Sequence, residues 1–146
     1  MELLVAVVIM TILVTMAVPV YEKTVEKSRV TEARAILKKI SDSKQRLLSS
    51  MEKDDWTEIP ESFTANSLDV RTQGTSSGSG ADAKLTTKYF SYKFFPAGRV
   101  SDVCAVRTDG ETRGVAFWYS AGGTGGQFFC TGDASKWYEN LRLLKV

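Results

Sequence analysis

With 146 residues, 43% of them hydrophobic and 25% charged, the chain has the size and average composition of one ordinary domain that can bury a core. A formal net charge of +2 is too small to argue for nucleic acid or an acidic substrate as partner. Histidine is absent, which removes the commonest general base and transition-metal ligand and counts against an enzyme.

Glu2 heads an otherwise uncharged apolar run from Leu3 to Val20, interrupted by Thr11 and Thr15 and closed by Pro19. An ionised carboxylate at the edge of such a run is costly unless it finds a partner. As a helix, Leu3 to Val18 spans roughly 24 Å, slightly short of a ~30 Å hydrocarbon core. A cleaved signal peptide fits poorly. No basic residues precede the run and no small-x-small cleavage site follows it, so the segment is expected to stay in the mature protein. Pro19 removes one backbone hydrogen bond and is expected to kink the helix, and a kink or local melting there would let the projecting half adjust its packing between bilayer and assembly.

Past Pro19 the pattern becomes amphipathic. Val30, Ala33, Leu37, Ile40, Leu47 and Met51 recur at three- to four-residue intervals, the spacing of one helix face, with one slot taken by Lys44. Glu22, Lys23, Glu26 and Lys27 read as a solvated surface. The helix is expected to end near Lys53-Asp54-Asp55, before Ile59-Pro60. Its length of about 80 Å is too great for a compact domain of this size, so its first half must project. The chain thus divides into a helix over 1–53 (1–20 apolar, 21–53 amphipathic), a connection over 54–88, and a sheet-bearing head over 89–146.

Residues 62–83 are small and polar and predict an exposed loop. A period of two then begins: Tyr89, Ser91, Lys93 and Phe95 alternate with Phe90, Tyr92 and Phe94. Val100 to Thr108, Arg113 to Ser120 and Gln127 to Cys130 continue the pattern, and Asp109-Gly110 signals a hairpin turn. Three or four antiparallel strands are expected, their apolar face covering the second half of the helix. The fold class is therefore α+β.

Cys104 and Cys130 lie 26 positions apart with no CxxC spacing, which excludes zinc-ribbon and thioredoxin-type readings. An even cysteine count beside an export-type N-terminus favours one disulfide; the alternative is two buried thiols. A bridge would close a loop of about 27 residues and stabilise by roughly 3 kcal/mol. The cluster Gly122, Gly123, Gly125 and Gly126 lacks the phosphate-loop form and reads as a turn. Asp102, Asp109, Glu111 and Asp133 are weighed as calcium ligands, but they are scattered among turns. Trp56, Trp118 and Trp137 are better explained by packing than by conduction or base stacking.

The run Glu2-Leu3-Leu4-Val5-Ala6-Val7-Val8-Ile9-Met10, with Pro19-x-Tyr21 and Arg29-Val30-Thr31-Glu32-Ala33, resembles the N-terminal signature of type IV pilins and their pseudopilin relatives. The resemblance covers about the first 35 residues; the remainder is similar in architecture only. It implies a structural subunit, without cofactor or metal, that polymerises through its N-terminal helix. It also implies a prepilin peptidase and a pilus assembly machinery as partners, residence in the inner membrane before assembly, and an extracellular filament afterwards. Glu2 would pair with a neighbouring subunit's amino terminus, and Pro19 would be the family's helix-breaking proline. The leader and first mature residues of the family are not in this sequence, and a glycine usual before the proline is Thr11 here. Cys104 and Cys130 would bound the C-terminal loop that many pilins close with a disulfide. The leading expectation is a major pilin, and the alternative is a pseudopilin of a type II secretion system, against which the cysteine pair is weighed. A minor pilin for DNA uptake comes third, and a membrane-anchored enzyme last, since no nucleophile–base pair or metal cluster supports it.

Overall fold

The computed structural model describes residues 2–53, 56, 58–96, 101–110, 113–120 and 127–131. Helix α1 runs from Glu2 to Ser50, 49 residues, a rod about 73 Å long at 1.5 Å per residue. It is unbroken through Pro19. The backbone stays helical there, although Pro19 offers no N–H to the carbonyl of Thr15. The helix stops three residues earlier than the sequence predicts. Glu52 takes a left-handed φ of 54°, while Glu52 N donates to Ser49 O at 3.2 Å and Lys53 N to Leu48 O at 3.2 Å. Those two bonds form a Schellman cap, here closed by a glutamate where glycine is the usual residue.

Among the described residues six strands follow as an antiparallel meander in chain order: β1 Thr75–Ser77, β2 Lys84–Thr86, β3 Phe90–Lys93, β4 Val103–Arg107, β5 Ala116–Ser120 and β6 Gln127–Thr131. The protein is thus α+β, a long helix packed on one antiparallel sheet. The sheet extends further towards the N-terminus than expected, because β1 and β2 lie in the stretch expected to be a connection. β1 is exposed at every position, so no apolar alternation announces it. Its hairpin closes at Gly78, whose φ of 75° and crowding against the Asp82 carbonyl leave no room for a side chain. The Asp109-Gly110 turn joins β4 to β5 as expected, with Gly110 at φ 76°.

Register aligns one row across the sheet: Leu85, Tyr92, Ala105, Phe117 and Cys130. The first four are buried and join Val30, Ala33, Ile36, Leu37 and Ile40 of the helix in a single core. β4 and β5 supply most of the strand contact with α1. Tight packing there follows from Ala33 and Ala105, both fully buried and small enough to bring backbones close. At the far end of the helix, Trp56, Phe63, Phe94 and Phe95 pack edge-to-face with centroids 4.8–6.1 Å apart. Met51, expected on the buried stripe, is exposed. The expected turn at Gly122–Gly126 and the positions Glu111, Asp133 and Trp137 lie outside the described residues.

Candidate assembly surface and its junction with the head

Among the described residues nothing packs on the apolar half of α1. Every residue from Glu2 to Thr24 is exposed, from Leu3 at 83% to Val18 at 47%. The helix is long and apolar enough to cross a membrane, and its most apolar window has no part buried within the chain. The two polar residues in the run bond back to the helix. Thr11 Oγ1 donates to Val7 O at 2.6 Å, and Thr15 Oγ1 to Ile12 O at 2.8 Å. Such internal bonding suits a helix surrounded by hydrocarbon or by other helices, where water cannot serve the hydroxyls. Glu2 stands in the first turn, where the helix dipole favours a negative charge. Glu2 and Pro19 share this projecting half, about 25 Å apart along the axis, and neither reaches the head.

The projecting half joins the head at an ion cluster. Glu26 is buried, contrary to the expected solvated surface. Its Oε2 accepts from Arg107 Nη2 of β4 at 3.0 Å and from Arg29 Nη1 at 3.3 Å. The Arg107 side chain is 2% exposed and that of Glu26 10%. Asp109 Oδ1 lies 3.4 Å from Arg107. The guanidinium also sits 5.2 Å from the Tyr89 ring and 5.0 Å from the Phe90 ring. Its Nε and Nη1 are buried and have no hydrogen-bond partner among the described residues.

Near the other end of the helix the polar slot in the apolar stripe has its explanation. Lys44 is 2% exposed. Its Nζ donates to Phe94 O at 2.6 Å and Asp102 O at 3.1 Å, with the Phe95 ring centroid at 4.4 Å. Burial lowers its pKa to about 7, partly opposed by the charge of Asp102. Asp69 fastens the preceding loop to the same part of the helix. It accepts from Arg46 Nη2 at 2.7 and 2.8 Å and from the Ser43 hydroxyl, and these bonds hold its carboxyl below the usual carboxylate range.

The expected disulfide is not present. Cys104 and Cys130 are both thiols, and the register explains why. Cys104 lies opposite Trp118 and Cys130 opposite Phe117. The two cysteines therefore flank β5 on opposite faces of the sheet, two strand spacings or about 9.5 Å apart, beyond the reach of a bridge. Burial pushes the Cys104 thiol up to about 11, so it is not a reactive thiolate. Among the described residues no three acidic, cysteine or histidine side chains converge as a metal site. Sequence spacing flagged Lys44 only as an interruption. The Glu26–Arg107 pair carried no local signal, because its members are 81 positions apart.

No family model, curated protein or solved structure matches this chain.

Proposed function

We propose that the chain is a structural subunit that waits in a membrane through residues 2–20 and polymerises into a type IV pilus filament, with no catalytic role. The observation that carries this reading is the contrast within one helix. One face of its second half is buried under a sheet, while its first half presents an apolar surface that the described residues leave uncovered. A hydrocarbon core and a bundle of identical helices both satisfy that surface, because both exclude water from it. A heterologous contact repeated between copies yields an open helical filament. Glu2 supplies the recognition charge, pairing with a neighbouring subunit's amino terminus in a setting where an unpaired carboxylate is costly.

The pseudopilin reading stands beside the pilin reading, since the cysteine pair weighed against it consists of two thiols. Electron microscopy of sheared surface material separates the two: long native fibres made of this chain support the pilin. The test of the mechanism is Glu2→Ala. Filament yield is expected to fall to background while membrane-inserted subunit remains at wild-type level. Wild-type filament yield from that variant sinks the role assigned to Glu2.

A further inference from the structure

The overall charge of +2 hides two segregated patches of opposite sign. A groove of about 390 Å³ opens between α1 and the β2–β3 turn, and Lys39, Arg71 and Lys88 line it, with Glu32 as its only carboxylate. Among the described residues none of these three cations is in an ion pair. The Thr72 hydroxyl lining the same groove is buried and lacks a hydrogen-bond partner. The groove thus carries surplus positive charge, with Lys88 set against Tyr89, its Nζ 5.2 Å from the ring centroid. Beyond the helix, the segment from Glu52 to Glu61 carries five carboxylates against the single cation Lys53. Glu52, Glu58 and Glu61 are exposed, and among the described residues only Glu58 of the three is in an ion pair, with Lys53 at 3.8 Å.

From these patches we infer that the basic groove of one subunit receives the acidic segment of a second copy, fixing the orientation of neighbouring heads in the assembly. Within one chain Lys39 precedes Glu52 by 13 positions, about 20 Å along a rigid helix, so Glu52 does not reach Lys39 of its own subunit. An acidic end and a basic flank on one rod are complementary only between copies. Repeated head to flank, they make a heterologous contact that adds subunits without closing a ring. Association through the apolar helices is non-directional; the charge contact selects rotation and register and rejects head pairings of like sign. The groove's donors suit carboxylates, with Arg71 able to form a bidentate pair.

This contact rests on the filament reading above. Two arms test it in the full chain. First, filaments grown from a mixture of chains labelled with light and heavy nitrogen are treated with a zero-length carbodiimide. Lys39 or Lys88 is expected joined to Glu52, Glu58 or Glu61 in mixed-isotope peptides. Second, Arg71→Glu with Lys88→Glu is expected to lower filament yield at least about tenfold, and adding Glu58→Lys with Glu61→Lys is expected to restore it. Normal yield from the reversed groove, or cross-links confined to single-isotope peptides, overturns the contact and leaves the filament reading standing. Cross-linking of the groove lysines to another protein or to another part of the subunit has the same consequence. If the wild-type chain forms no filament, both fall together.

Discussion

Removing the carboxylate of Glu26 (Glu26→Gln) should unseat the head from the helix more than any exposed substitution. Arg107 Nη2 lies 3.0 Å from Glu26 Oε2, and the arginine side chain is 2% exposed. At an effective dielectric near 20, two charges at that distance attract by roughly 5 kcal/mol. Breaking such a buried pair from one side costs about 3–5 kcal/mol, because a desolvated charge is left uncompensated. Among the described residues two of the three guanidinium nitrogens lack partners, and Asp109, half exposed at 3.4 Å, compensates weakly. The expected cost therefore lies inside that range, a fall in Tm of at least about 12 °C for a head of this size. Arg107→Met should cost a similar amount, and Glu26→Gln with Arg107→Met together no more than either alone. Arg29→Met, which removes the more exposed partner of Glu26, should cost under about 1 kcal/mol. Circular dichroism melts of the full chain in detergent provide the double-mutant cycle. Single substitutions that each cost less than about 1 kcal/mol, and that add without coupling, would refute the argument.

Lys44 predicts a pH dependence. Its pKa falls from the ordinary 10.5 to about 7 on folding, so between those values the unfolded chain holds a proton that the folded chain has released. Stability should therefore rise with pH from about 7 towards 10.5. The rise should be absent in Lys44→Met, as read from urea midpoints at pH 7 and pH 9. For the cysteines, dithiothreitol should leave Tm unchanged. Alkylation in denaturant without reductant should add two groups per chain by mass spectrometry, where a native disulfide would block both.

How much of this was visible in the residues follows from the range of each signal. The apolar run and the stripe from Val30 to Ile40 are local periodicities, and the helix obeys them. Strands β3 and β5 alternate against a core and were legible for the same reason, and β4, buried at four of its five positions, was legible as a short apolar run. β1 was not, because Thr75–Ser77 is exposed on both faces and is defined by pairing with β2 alone. The helix end was misplaced because its left-handed cap is Glu52 rather than glycine. Lys44 stood out as a break in the stripe, yet its acceptors lie 50 and 58 positions away. Glu26 looked like surface because its arginine comes from β4. The cysteines show how parity decides pairing: a one-residue offset in register sends a side chain to the other face, and the 26-position spacing contains no trace of it.

The central claim is that residues 2–20 are covered by the same residues of other copies. A cryo-electron reconstruction of fibres purified from cells expressing this chain tests it most directly. The account predicts a core of packed N-terminal helices, with Glu2 against a neighbour's amino terminus and the six-stranded heads outside. A fibre whose core is built from the heads, with the apolar helices projecting outward, would contradict it.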